Sequence, residues 1–212
     1  MTLIGLISDV HATAAPVREA LSHFRCAGVD QILCAGDIAG YHDEVEETVA
    51  LLVDHKVQAV RGNHDLRYLE RHGGDAEDRA ADYFRQLPAV IDIEVAGKRV
   101  YVVHAEPPDA CTGGGIRLLD QDGGVRPERA GLWARQLAGC DCDVLVVGHS
   151  HQVFAERLGT TLVVNPGSTV FNHACAILQL PEMIVQVLPL SGQAVCRNWN
   201  WAEFMADRGS PA

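Results

Sequence analysis

The sequence predicts an α/β fold with two sheets, and three observations carry that expectation. Short apolar runs alternate with helical segments through the first part of the chain. The second half is a succession of short strands separated by tight-turn signals, and five of the apolar runs end in polar side chains that a core cannot use. Strand, helix, strand is the grammar of a parallel sheet, whereas strands in direct succession build antiparallel pairs.

LIGLIS at the start reads as a fully buried strand, because its apolar run is continuous and short. Val17 to Ala27 then carries Val17, Ala20, Leu21 and Phe24 at helical spacing behind Pro16, a favourable first-turn residue. QILCAGD follows as a second strand, Glu44 to Leu52 as a helix, and VQAVRGNHD as a third strand breaking at Gly62. Asp75 to Leu87 is helical in pattern and stopped by Pro88. VIDIEV and KRVYVVHAE, joined by Ala96-Gly97, predict an antiparallel hairpin. Glu106 to Pro127 holds five glycines and three prolines and predicts a loop, mobile at Gly113 to Gly115 and lying beside the site as a lid. A helix over Glu128 to Leu137 and short strands in CDVLVVGHSH, QVFAERL, TLVVNPG, ACAILQL and MIVQVLPL complete the chain. Without repeat or linker, residues 1–212 are expected to form one domain, about 209–212 being a loose tail.

Composition narrows the function classes. With 48% hydrophobic and 21% charged residues the chain can bury a sizeable core. Its net charge of -11 repels polyanions, so a phosphate ligand has to be attracted locally. MTLIGLIS is short and meets Asp9 directly, which fits neither a signal peptide nor a spanning helix and leads to a cytoplasmic expectation without membrane partners. Seven cysteines, an odd number, argue against a disulfide framework, and the Cys140-Asp-Cys142 pair lacks zinc-knuckle spacing. Trp199 and Trp201 are expected to dock on their own domain.

The chemistry sits at the strand ends. Strand one ends in Asp9 and His11, strand two in Asp37, and strand three in Asn63, His64 and Asp65; VVHAE ends in His104 and VVGHSH in His149 and His151. Ligand crevices of open α/β sheets lie outside the carboxyl ends of strands, so these groups should converge. If the backbone there is extended, Asp9 with His11, and His149 with His151, each face one side. Carboxylate, carboxamide and imidazole together suit first-row divalent ions, and the set is too rich for one of them. Two ions roughly 4 Å apart would clamp a phosphoryl oxygen and activate a bridging water as nucleophile. Arg117, near the glycine cluster, and Arg126 are candidate substrate contacts.

DVH (9–11), GD (36–37), GNHD (62–65), His104 and GHSH (148–151) resemble in order and spacing the motifs of the calcineurin-like metallophosphoesterase superfamily. GDIAGY, VRGNHD and VVNPGS look like its small YfcE-type phosphodiesterase branch. The resemblance implies a four-layer αββα sandwich of two mixed sheets flanked by helices. It assigns Asp9, His11, Asp37 and His151 to one metal and Asp37, Asn63, His104 and His149 to the other, with Asp37 bridging. Catalysis would then rest on Asp37 and on His64, free to stabilise the transition state or protonate the leaving oxygen. The cofactors implied are two divalent transition-metal ions, manganese ahead of iron, zinc or nickel. Two departures stand out. Gly40 and Tyr41 occupy the positions that in protein serine/threonine phosphatases supply an Asp orienting the catalytic His and an Arg gripping phosphate, and the branch's Gly-Gln-Pro-Arg after NPGS is replaced by Thr169-Val170-Phe171-Asn172.

The expected activity is hydrolysis of phosphodiesters in a nucleotide, a dinucleoside polyphosphate or a nucleic acid. A DNA or RNA nuclease acting on single-stranded ends is the second reading, weighed against by the acidic balance. A protein-binding scaffold of the same fold is the third, weighed against by the intact ligand set.

Overall fold

The computed structural model describes residues 1–75 and 77–200. Among them are two five-stranded mixed sheets, with strand orders β10-β9-β1-β2-β3 and β4-β5-β6-β8-β7. In the first sheet β1 (Thr2–Ile7), β2 (Gln31–Cys34) and β3 (Gln58–Ala59) run parallel, and β9 (Ala174–Leu180) joins β1 antiparallel with β10 (Ile184–Pro189) outside it. In the second, β5 (Lys98–Val103), β6 (Val144–Val146) and β8 (Thr161–Asn165) are parallel, flanked by antiparallel β4 (Val90–Val95) and β7 (Phe154–Leu158). The expected β4–β5 hairpin is present, with Ala96 and Gly97 both at positive φ.

Alternation along β1 explains the layering. Ile4 and Leu6 enter a cluster with Val100, Val102, Val144 and Val146, which glues the two sheets face to face. Ile7 instead belongs to a cluster with Val17, Leu21 and Phe24 of helix α1 (Ala14–Ala27) and with residues of α2 (Val45–Asp54) and α4 (Arg79–Gln86). Helix α5 (Pro127–Gln136) lies over the other sheet, Trp133 packing beside Leu145 and Val163. The result is the four-layer αββα arrangement. LIGLIS is continuously apolar because both of its faces are covered, and Gly5 lacks a Cβ because the Phe24 ring lies within 3 Å of where one would stand.

Two expectations need correction. VQAVRGNHD is not a long strand: β3 has only two residues, and helix α3 (Asn63–His72) starts directly after Gly62. The cause is Asp65 at the third helical position, whose buried carboxylate accepts from the N–H of Gly62 at 2.8 Å and that of Ala39 at 2.8 Å. Helicity expected from Asp75 begins only at Arg79, where Asp78 Oδ1 accepts from Ala81 N at 2.8 Å; it ends at Gln86, before Pro88. The glycine-rich segment 106–127 is a loop as expected, but it is pinned rather than loose, because Ile116, Leu118 and Leu119 are buried in the core under the second sheet. No helix among the described residues is long and apolar enough to cross a membrane. Trp201 and the tail at 209–212 lie outside the described residues.

Candidate active site

Five parallel strands deliver the polar residues to one end of the sandwich. Asp9 and His11 follow β1, Asp37 follows β2, Asn63 and His64 follow β3, His104 follows β5, and His149 and His151 follow β6. One ligand atom each from Asp9, His11 and His151 lies within 4.8 Å of the others, and the same holds for Asp37, His104 and His149. A third such group, His11, Asp37 and His64, links the two. Asn63 Oδ1 stands 2.8 Å from His149 Nδ1 and 3.2 Å from His104 Nε2. All seven residues expected as ligands are therefore brought together, with His64 beside them.

How they converge differs from the expectation. Asp9 and His11 are not on extended backbone; they sit at φ 49 and 52, Asp37 at 53, and His149 and His151 at 64 and 50. Five non-glycine residues in the left-handed region, each costing of the order of 1 kcal/mol, persist only because the surroundings over-determine them. The surroundings are visible: Asp9 N donates to Gly36 O at 2.9 Å, His11 N to Asp37 O at 3.0 Å, and Gly148 N to His104 O at 2.8 Å. Ser168 Oγ donates to the Asp9 carbonyl at 2.6 Å, while Asn165 Nδ2 donates to Gly148 O at 3.0 Å. NPGS is thus the brace behind the two ligand turns.

The electrostatics fit cations. Burial opposes charge on Asp9 and Asp37, yet the imidazoles facing them win: His151 holds Asp9 far below the usual carboxylate range, and His104 holds Asp37 at about 2. Burial pushes His11 down to about 3 and lowers His149, so both rings are neutral lone-pair donors at neutral pH. For His104 burial is outweighed by Asp37, 3.3 Å away, which raises it to about 9. A divalent cation would take the place of that proton. His104 Nδ1 donates to Ala35 O at 2.7 Å and His149 Nε2 to Gly113 O at 2.8 Å, which leaves His104 Nε2 and His149 Nδ1 aimed at the Asn63 oxygen. Turning the Asn63 amide would let it donate to those atoms; a cation held by its oxygen satisfies them equally. His11 Nε2 and His151 Nε2 are 3.0 Å apart, close to the edge of roughly 3 Å that adjacent ligands span on an ion with bonds of about 2.1 Å.

Gly62 shows how tight this packing is. A Cβ there would overlap the Asp37 carboxylate and its backbone N. Gly62→Ala is expected to cost about 1–3 kcal/mol of stability and to reduce bound metal; thermal denaturation and metal analysis together check this, and wild-type values in both would refute the packing argument.

The site opens into a cavity of about 550 Å³ whose lining includes Asp37, Asn63, His64, His149, Arg67 and Arg117. Arg117 is thus placed where a substrate contact was expected. Arg126 is not in that lining: it stands at the N-terminus of α5, pairs with Glu128 at 2.8 Å and lines a neighbouring recess that shares Arg117 with the cavity. Other site residues escaped the sequence. Tyr41 Oη lies 3.1 Å from His64 Nε2. Phe171 fills the place of the missing Arg segment by stacking against His151, ring centroids 5.4 Å apart, and against Trp199 at 4.3 Å. Gly113 orients His149 from the glycine-rich loop expected beside the site, through a backbone carbonyl contact that the sequence does not specify. The Cys140 and Cys142 sulfurs, 3.1 Å apart, lie at the other sheet's core and form no part of the site.

A profile of the calcineurin-like phosphoesterase superfamily domain matches residues 2–180. A probable metallophosphoesterase of Methanothermobacter thermautotrophicus is 28% identical over 214 residues, covering 94% of this chain and 98% of that one. An uncharacterized protein of Methanocaldococcus jannaschii is 30% identical over 122 residues, and that match spans only 50% of its length. Among solved structures, a novel archaeal phosphodiesterase superposes with a TM-score of 0.59 at 16% identity, covering 89% of this chain and 100% of that one, which shows the shared fold. Since the matched region contains all five strand-end motifs and both ligand groups, the chain belongs to the calcineurin-like phosphoesterase superfamily, a family of metal-dependent phosphoester hydrolases.

Proposed function

We propose that the protein is a binuclear metal-dependent phosphodiesterase acting on nucleotide substrates, with manganese as the favoured metal. The observation that carries this reading is the pair of ligand groups, Asp9–His11–His151 and Asp37–His104–His149, on the floor of an accessible cavity with His64 at its edge. Asp37, adjacent to both groups through His11, is the residue suited to bridge. Two divalent ions, when bound, polarise the phosphoryl group and acidify water.

The chain's own residues do the rest. Asp37 Oδ1 accepts from His64 N at 2.7 Å and so fixes the first turn of α3 against the ligand floor. His64 lines the cavity and has its Nε2 held by Tyr41, which stays a neutral phenol because burial, reinforced by the charge of Asp37, raises it to about 12. Burial lowers the His64 pKa below the ordinary imidazole value, which makes its protonated form a stronger acid toward the leaving oxygen. A diester is favoured over a protein phosphomonoester because Gly40 and Tyr41 supply neither the carboxylate nor the guanidinium that phosphatases use there. The archaeal phosphodiesterase that shares the fold supports the same choice.

With manganese present, bis(p-nitrophenyl) phosphate is expected to turn over faster than p-nitrophenyl phosphate, and single-stranded DNA slowly or not at all. Absence of metal-dependent turnover on any of them would overturn the reading. Manganese added to chelator-stripped protein is expected to raise the melting temperature by about 5–10 °C at 100-fold excess over Kd. His151→Ala should diminish that shift, and an unchanged curve for the wild type would count against the ligand set.

A further inference from the structure

Behind His64 the catalytic cavity continues into a second recess of about 250 Å³. Tyr41, His64 and Arg67 line both, so the two are contiguous. The recess is otherwise walled by Tyr68, Arg71 and His72, and no carboxylate lines it among the described residues. His64, Arg67 and Arg71 stand at i, i+3 and i+7 of the pattern NHDLRYLERH, so one face of α3 runs from the catalytic imidazole outward through two guanidinia.

These two arginines are distinguished by their place beside His64, since most arginines among the described residues likewise form no ion pair. Ion pairs among the described residues use Arg18, Arg85, Lys98, Arg99 and Arg126; Arg67 and Arg71 are in none of them, and both are exposed. Two exposed guanidinia side by side on a recess that no carboxylate lines among the described residues offer an anion local attraction and bidentate hydrogen bonds. In a molecule of net charge -11 they form a local exception at the mouth of the site.

We propose that Arg67 and Arg71 form a subsite for a second phosphate, carried on the leaving group, so that the enzyme selects small nucleotides bearing a further phosphate over simple diesters. This rests on the phosphodiesterase reading above. The placement follows from His64: the side of the cavity from which the leaving oxygen receives its proton is the side that opens into the recess. The recess is small, and the acidic balance of the chain repels long polyanions, so the ligand is a phosphorylated nucleotide and not a nucleic acid strand.

The test compares wild type with the Arg67→Gln/Arg71→Gln double variant on three substrates with manganese: bis(p-nitrophenyl) phosphate, diadenosine tetraphosphate and a dinucleotide carrying a terminal phosphate. The ratio of kcat/KM for either phosphate-bearing substrate to that for the nitrophenyl diester is expected to fall at least about tenfold in the variant. Loss on only one of the two nucleotides would identify the source of the phosphate. An equal loss on all three, or a ratio that does not change, would overturn the proposal. Calorimetric titration of the full-length protein with pyrophosphate separates it from the parent reading: the wild type should bind at least about tenfold more tightly than the variant even if neither hydrolyses any diester. The variants Arg67→Lys and Arg71→Lys should recover part of the ratio, which a purely structural role would not produce.

Discussion

Asp37→Ala is expected to lower manganese-dependent kcat/KM on bis(p-nitrophenyl) phosphate by at least ~10³-fold. Asp37 is fully buried at a left-handed backbone position, and its oxygens reach in two directions: Oδ2 lies 3.3 Å from His104 Nε2, and Oδ1 accepts the His64 N–H. Deleting it removes the carboxylate shared between the ligand groups and also releases the start of α3. The two consequences separate in Asp37→Asn, which keeps an oxygen for the His64 N–H but loses the charge. That variant should show comparable loss of activity with the wild-type melting temperature in chelator, while Asp37→Ala should lose about 1 kcal/mol more for the orphaned helix N–H. Metal content by mass spectrometry is expected to fall in both. Turnover of Asp37→Asn within tenfold of wild type would remove Asp37 from the mechanism.

His64→Ala is expected to divide by leaving group. Its imidazole is supported by Tyr41, while its backbone N–H, not its side chain, ties α3 to Asp37. Truncating the ring therefore leaves the ligand floor standing. If the ring protonates the departing oxygen, kcat on a diester with an alkoxide leaving group should fall ~10²–10³-fold, and on a nitrophenyl diester less than about tenfold, since nitrophenolate departs without a proton. Equal losses on the two would reassign His64 to stabilising charge on the phosphoryl oxygens.

The candidate ligands were legible because each is a polar interruption at the end of an apolar run, and solvent exclusion makes such interruptions costly unless they do something. Element types in the regular parts were legible for the same reason, as β1, α1 and the β4–β5 hairpin show. Helix α3 was not: GNHD reads equally well as a turn after a strand, and the carboxylate of Asp65, bonded to the N–H groups of Gly62 and of the distant Ala39, decides that a helix starts there. Nor could Arg67 and Arg71 be picked out among exposed charges of a helix that the sequence did not reveal.

The sequence by itself determined the two-sheet α/β plan, the residue types of the site and the metal chemistry they suit, since apolar periodicity and donor atoms are local properties of the chain. Tertiary structure alone decided how those donors meet: not by alternation along extended strands but by left-handed turns braced by Ser168, 159 residues from Asp9, and by Asn165, 17 residues from Gly148. It also decided that Tyr41 supports His64 and that Arg67, not Arg126, faces the cavity. Such contacts join residues that are remote in sequence, and no local pattern encodes a distance between them.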